Sequence, residues 1–223
     1  RLSNLVRAIA ELSGDFRIRL SSIEATEVTR ELIGVMQNHG DKVCPHLHIS
    51  MQSGSDSVLR RMRRRWGSRR YVDRCQLLKE SLDLPAITTD IIVGFPGETD
   101  EEFSETCGVA REVGFSKIHV FPFSARRGTP AADMPGQLPK KLKQERGREL
   151  SRLETELRDA YFESLRGHRL RLLVESPLKD QPGHAVGTSC RYAPVVIPHD
   201  RQSPGEFINV VAGDSHEGRI QGI

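Results

Sequence analysis

The stretch that most constrains what this chain can fold into is residues 88–103, TTDIIVGFPGETDEEF. Thr88 to Val93 is a β-branched run interrupted by one acid, Asp90, and such a run reads as a buried strand. Gly94-Phe95-Pro96-Gly97 breaks it with the strongest turn residues. Thr99 then stands three residues ahead of Glu102, with Asp100 and Glu101 between. That is a capping box whose acids sit where the helix dipole favours them. Strand, glycine-rich turn and helix make one βα unit. In βα folds ligands gather at the turn after the strand, and glycines let backbone approach a ligand with no Cβ in the way. An ordinary βα turn without a ligand has the same local pattern. It is not a phosphate-cradling P-loop, because no Gly-Lys-Ser/Thr follows.

The flanking sequence repeats this grammar. Residues 2–13 have helical spacing and end near Gly14. Residues 16–20 alternate as a strand and deliver Ser21-Ser22-Ile23-Glu24. A helix over 26–37 stops at Asn38-His39-Gly40. A strand over 44–51 ends in Gln52-Ser53-Gly54-Ser55. Ser55 is placed to cap a helix over 56–66 in which Val58, Leu59 and Met62 face inward. A further helix covers 68–82. The helix of the central unit reaches Val113, and 117–123 form a fourth strand. Strand and helix alternate three times before this last strand, which predicts an α/β fold with a parallel sheet or partial barrel. Its four strand-end loops share one rim.

Residues 131–139 carry Pro135, Gly136 and Pro139 and read as a linker. A long charged helix follows to residue 165, with Leu150, Leu153, Leu157, Ala160 and Leu165 in one stripe, and Gly167 ends it. Beyond that the pattern changes to short alternating strands over 169–175, 184–188, 193–197, 207–211 and 219–223, split by Gly and Pro. About five short strands in so few residues predict a small OB-like β-barrel. The chain therefore divides into 1–138, 139–166 and 167–223.

A length of 223 residues suits one large domain or a domain plus a small module, and a net charge of +3 is too small to imply a nucleic-acid partner by itself. No apolar run reaches the length of a membrane span and no secretory signal opens the chain. Cys44, Cys75, Cys107 and Cys190 are scattered, which argues against a disulfide framework and for a reducing cytoplasm. Leu2, Leu5, Val6 and Ile9 place Arg1 in mid-helix, so the sequence reads as a fragment.

Three motifs lift the reading above a generic α/β fold: LHISMQSGS at 47–55, TTDIIVGFPGETDEEF at 88–103 and HVFPFSARRGTPAADMP at 119–135. In this order and spacing they resemble the radical S-adenosylmethionine (SAM) methylthiotransferases, over essentially the whole chain. RLSSIE at 19–24 and CPHLHI at 44–49 look most like the branch acting on N6-threonylcarbamoyladenosine in tRNA. The resemblance implies the last four strands of a six-stranded partial (β/α)6 radical SAM barrel, followed by a long helix and a TRAM domain. It implies SAM and [4Fe-4S] clusters as cofactors, tRNA as substrate and an electron donor, with no DNA and no membrane partner. The family's CxxxCxxC cluster loop and Gly-Gly-Glu-like motif have no counterpart here, so the isolated chain is expected to be inactive.

Matching motif to motif, Gln52 and Ser53 resemble SAM-contacting residues. An amide and a hydroxyl both donate and accept, which suits a zwitterion with ribose hydroxyls; a turn with a helix cap is the alternative. Asp90 lies in an apolar strand, where an unpaired carboxylate is costly, so it needs a ligand or a basic partner. Val93, Gly94 and Phe95 would flank the adenine. Ser22 and Glu24 would meet ribose or substrate, or cap a helix. Phe121 and Phe123 would lie beside adenine or in the core.

Cys44, His46 and His48 share one strand face, yet three candidate ligands on one strand, with no second pair, argue against zinc. Ser50 stands where the family usually has proline. Arg60, Arg61, Arg63, Arg64, Arg65, Arg69 and Arg70 crowd eleven residues around Trp66. Arg61 and Arg64 match basic family positions and Arg63 is extra. They read either as phosphate contacts to tRNA or as a solvated helix face. In the terminal module Arg169, Arg171, Lys179, Arg191, Arg201 and Arg219 are balanced by acids, so RNA binding there would rest on shape and on Tyr192 and Phe207.

Two function classes follow: the C-terminal part of a radical SAM tRNA methylthiotransferase, or a non-catalytic RNA-binding protein built on a degenerate half-barrel and an OB-like module. An aldolase-type barrel is a third, weaker reading, since Lys117 opens its strand instead of closing it.

Overall fold

In the computed structural model, residues 1–179, 181–198 and 203–223 are described. The first part alternates strand and helix: α1 (Leu2–Ala10), β1 (Ile18–Ile23), α2 (Arg30–Asn38), β2 (Val43–Ile49), α3 (Asp56–Arg61), α4 (Ser68–Ser81), β3 (Ala86–Val93), α5 (Asp100–Val113) and β4 (Lys117–Pro122). The strands form one parallel sheet in the order β1-β2-β3-β4. α6 (Lys140–Ser164) leads to β5 (Arg169–Pro177), β6 (His184–Ser189), β7 (Pro194–Pro198), β8 (Phe207–His216) and β9 (Arg219–Gly222). These last five close into a barrel in the order β5-β6-β7-β9-β8. No helix among the described residues is long and apolar enough to cross a membrane.

The central unit forms as its sequence dictates. Thr99 accepts from the Glu102 backbone N–H, and the Glu102 carboxylate accepts from the Thr99 N–H, closing both bonds of the capping box. Gly114 ends α5 in the left-handed region at φ 62°. One face of the sheet packs on the helices. Leu47, Ile49, Ile87, Ile91, Val93 and Ile118 join the main core there. The Tyr71 hydroxyl on α4 donates to the Ile49 carbonyl at 2.7 Å, as does the Thr89 hydroxyl at 2.7 Å, which pins the end of β2.

Several boundaries differ from the sequence reading, each for a local reason. α1 stops at Ala10, short of residue 13. β1 begins at Ile18 and runs through Ser21 and Ser22 to Ile23; Ser22 has φ 56°, and the register with β2 shifts there. The helix expected from residue 26 opens as a 3-10 turn over Ala25–Glu27, and α2 starts only after Thr29, whose side chain caps it. β2 ends at Ile49, and Gln52 rejoins the sheet through a bridge to Ile91. The helix expected over 56–66 ends at Arg61, because Arg63 turns the chain at φ 57° and returns Trp66 to the core at 5% exposure. Met62 is consequently only half-buried. Ser55 makes no capping bond; Asp56 instead accepts from the Ser68 N–H at 2.6 Å at the start of α4. β4 stops at Pro122, one residue short of Phe123. In α6, Leu150, Leu153 and Leu165 are buried and Leu157 is half-buried, but Ala160 faces solvent. β8 is longer than expected. Its end pairs with β9 across Glu217 (φ 49°) and Gly218 (φ 73°), the double positive-φ turn that matches strand twist.

Candidate functional site

The face of the sheet turned away from the helices is polar. His46 and His48 on β2, Thr88 and Asp90 on β3, and Lys117 and His119 on β4 share it, because side chains alternate and the registers pair His48 with Thr88 and Asp90 with His119. The Thr88 hydroxyl lies 2.9 Å from His46 Nε2 and 3.0 Å from His48 Nδ1. His48 Nε2 lies 3.3 Å from Asp90 Oδ2. His119 completes the group, its ring 5.8 Å from that of His48, and one ligand atom from each of His48, Asp90 and His119 falls within 4.8 Å of the others. The basic partner that Asp90 required is therefore His48. Burial holds the His119 pKa below its ordinary value, with His48 and Lys117 adding to the effect and Asp90 and Glu154 opposing it. The sequence reading missed His119, although its place in the third motif, one strand over from Asp90, was the available signal.

The small barrel closes the lower end of this face. Tyr192, in the β6–β7 turn at φ 61°, stacks on His46 with ring centroids 4.8 Å apart, and the Arg19 guanidinium lies 5.1 Å from the same ring. Arg19 also donates to the Ser189 carbonyl at 2.8 Å. Burial, then the charges of Arg19 and His48, push the His46 pKa down to about 3. Cys44 joins the barrel's core. Tyr192, expected to meet RNA, thus has its ring engaged inside the protein, though 41% of the residue is exposed. Cys44, His46 and His48 share a face as expected, but only His48 enters the metal-capable group.

At the strand ends the expected ligand residues divide. Gln52 is half-buried at φ 68°; its backbone N–H donates to the Asp90 carbonyl at 2.8 Å, and its side-chain amide has no partner among the described residues. Ser22 and Glu24 are exposed where β1 ends. Phe121 is 50% exposed. The Ser53 hydroxyl, by contrast, is buried 3.1 Å from that of Thr106 and accepts from the Ser55 N–H. Val93 packs in the core. Phe95 is buried, edge-on to Phe123 at 5.2 Å. The Gly94 N–H donates to the Glu98 carboxylate at 2.7 Å. A Cβ on Gly94 would lie 2.5 Å from the Lys143 side chain, so this glycine is required by α6 as well as by its φ of 74°.

The arginine run is not one helix face. Arg61 donates two hydrogen bonds to the Glu102 carboxylate, at 2.8 and 2.6 Å, and Arg64 lies over Trp66 at 5.5 Å. Arg63 sits exposed in the turn. In the barrel Arg191 is buried against Asp83 and the Leu84 carbonyl, and Arg171 pairs with Asp15. Arg201 lies outside the described residues. All four cysteines are buried. Burial pushes the Cys75 thiol up to about 12 and that of Cys107 up to about 11.

Residues 2–110 match the Radical SAM superfamily. The chain is 40% identical over 213 residues to the threonylcarbamoyladenosine tRNA methylthiotransferase MtaB of Bacillus subtilis strain 168, covering 93% of this chain and 47% of the relative. It is 38% identical to the tRNA-2-methylthio-N(6)-dimethylallyladenosine synthase of Saccharopolyspora erythraea, covering 92% of this chain and 43% of the relative. The chain thus spans about half the length of these curated relatives. The coproporphyrinogen III oxidase HemN from Escherichia coli, a radical SAM enzyme, superimposes with a TM-score of 0.56 at 16% identity, over 70% of this chain and 36% of that one, a likeness of fold alone. Parallel strands with a polar open face and a glycine turn, matched at this identity across nine-tenths of the sequence, make the chain a member of the radical SAM methylthiotransferase family.

Proposed function

We propose that this chain is the C-terminal part of a cytoplasmic tRNA methylthiotransferase that adds a methylthio group to N6-threonylcarbamoyladenosine. In this reading residues 1–138 are the end of the radical SAM barrel, 139–166 a linking helix and 167–223 an OB-like TRAM module. The observation that carries it is the 40% identity to a threonylcarbamoyladenosine tRNA methylthiotransferase over 93% of the chain. The relative named for dimethylallyladenosine is only slightly less similar, so the nucleoside is the part most in need of test.

The residues fit SAM at three points: the unpartnered Gln52 amide, the half-buried Asp90 carboxylate and the exposed Phe121 ring. An amide and an acid offer the acceptors that an ammonium or ribose hydroxyl needs, and the ring offers a stacking face. Gly94 and Phe95 would shape the turn beside them through backbone alone. Reductive cleavage of SAM and transfer of sulfur and methyl are chemistry supplied by the bound cofactors. The buried, separate cysteines of this chain do not fit an iron–sulfur cluster, so cluster ligands and the electron donor's docking site belong to residues beyond it, and this chain alone is inactive.

The test is to express the gene's complete product in cells lacking methylthiolated tRNA and to analyse the tRNA nucleosides by mass spectrometry. The methylthio form of threonylcarbamoyladenosine should appear, and this chain alone should produce none. A methylthio group on dimethylallyladenosine would overturn the nucleoside assignment. No methylthio product from the complete protein would favour the non-catalytic RNA-binding reading.

A further inference from the structure

Among the described residues β4 has no neighbouring strand on its outer side, and α6 runs beside that free edge. Between them lies a groove of about 630 Å³, lined by Val120 and Pro122 from β4 and by Arg148, Ser151, Arg152 and Thr155 from α6. The four helix residues recur at helical spacing along one face and all are exposed. Neither Arg148 nor Arg152 has an acidic partner among the described residues, whereas Arg61, Arg146, Arg166, Arg171 and Arg191 are each tied to a carboxylate.

We propose that this β4–α6 groove seats the backbone of the substrate RNA strand, with Arg148 and Arg152 on successive phosphates. The assignment rests on the tRNA part of the function proposed above. Residues 148 and 152 stand one turn apart, about 6 Å along the axis, close to one nucleotide step of a strand. Guanidinium groups grip phosphate in a fixed fork, and the Ser151 hydroxyl adds a donor between them, while the Thr155 hydroxyl donates to the Ser151 carbonyl at 3.1 Å. Only Val120 and Pro122 are apolar, too little for the core of a protein interface.

Position favours this groove over the arginine run. Side chains alternate along β4, so while Val120 and Pro122 face the groove, Phe121 faces the open side of the sheet. A base leaving the strand in the groove crosses one strand to reach the exposed Phe121 ring and the His48–Asp90–His119 group beyond it. Stacking on such a ring is sequence-tolerant and suits an unpaired base. Val120 and Pro122 share the helix-covered face with α3 and α4, which carry the arginine run, but the groove sits at the β4 edge, one strand from the open face, whereas α4 packs behind β2 and β3.

The experiment measures binding of this chain to total tRNA by fluorescence anisotropy across a potassium chloride series. Each phosphate contact contributes about 0.7 to the log–log salt slope for single strands. Arg148→Gln with Arg152→Gln should lower the slope by about 1.4, with the thermal melt unchanged because both side chains are exposed. Phe121→Ala should weaken binding without changing the slope. Arg63→Gln with Arg64→Gln serves as the competing surface and should lower the slope less. Superimposed slopes for wild type and the Arg148/Arg152 variant, or no tRNA binding by wild type, overturn the proposal. So does a wild-type dimer in sedimentation that the double variant dissolves while the slopes coincide, which would make the groove a contact between copies. Methylthiolation by the complete protein with unchanged slopes removes the groove and leaves the function standing. A changed slope without methylthiolation does the reverse.

Discussion

The Glu98 carboxylate lies 2.6 Å from the Arg146 guanidinium, with the two side chains 1% and 4% exposed. The same arginine donates to the Glu98 carbonyl at 3.0 Å and to Asp100 at 2.7 Å, and Glu98 in turn accepts from the Gly94 N–H. The turn after β3 is thereby tied to α6, forty-eight residues away in sequence. Burial raises the Glu98 pKa even so, because the Gly94 N–H and Arg146 offset only part of the cost of desolvation.

Removing Arg146 should cost more than removing the pair. Arg146→Ala leaves a buried carboxylate without its cation, an expected loss of about 3–5 kcal/mol, while Glu98→Gln combined with Arg146→Met should lose clearly less. A raised folded-state pKa contributes stability at low pH that is lost as pH rises through it. Without Arg146, which now lowers it, the Glu98 pKa rises further in the variant, so the deficit of Arg146→Ala should grow as pH increases from about 5 to about 8. Urea denaturation at the two pH values reads both effects, and equal deficits would mean that Glu98 stays neutral or finds water.

His46 makes a prediction of opposite sign. Its folded pKa of about 3 lies well below the ordinary histidine value of 6.5. The unfolded chain takes up a proton at His46 before the folded one does, so stability falls as pH drops from 6.5 toward 3. His46→Gln keeps a polar group near Thr88 and removes this titration. Its stability should change less than wild type across that window, measured by urea midpoints at half-unit steps. Parallel curves for the two proteins would show that burial by Tyr192 is not maintained in solution.

How much of this was legible in the sequence depended on range. The capping box at Thr99 and Glu102 was readable because all its atoms lie within four residues. The parallel sheet was readable from strand and helix alternation, and the five-stranded barrel from its spacing of Gly and Pro. What escaped was set by distant partners. Arg61 matched a basic family position, but its bond to Glu102 depends on α3 packing beside the start of α5. Ser53 looked like a ligand hydroxyl, and only the placement of Thr106 on α5 buries it. Tyr192 was singled out for RNA, and its stacking on His46 depended on where the barrel docks. Asp90 showed the intermediate case: the need for a partner was evident from the apolar strand, while the identity of that partner required the register of β2 against β3.

The Arg61–Glu102 pair yields a test that separates folding from RNA binding. Both guanidinium nitrogens of Arg61 reach the Glu102 carboxylate, and the Thr99 N–H adds a third bond at 3.0 Å. The Arg61 hydrogen bonds above all, then the Thr99 N–H, the Ser57 hydroxyl and the Arg61 charge, bring the Glu102 pKa down from 4.5 to about 2 against the opposing effect of burial. A depressed carboxylate contributes stability that is present above 4.5 and disappears as pH falls toward 2. Glu102→Gln should destabilise the chain at pH 7 by about 1.5–3 kcal/mol, the range for a hydrogen bond to a charged group, and the difference from wild type should shrink as pH falls from 4.5 and close below 2. Arg61→Gln should show the same loss at pH 7. Because the Arg61 charge is already neutralised within the fold, that substitution should leave the salt slope of tRNA binding unchanged. A slope lowered by about 0.7 would show instead that RNA displaces Glu102 from Arg61, and that the arginine run is part of the RNA surface after all.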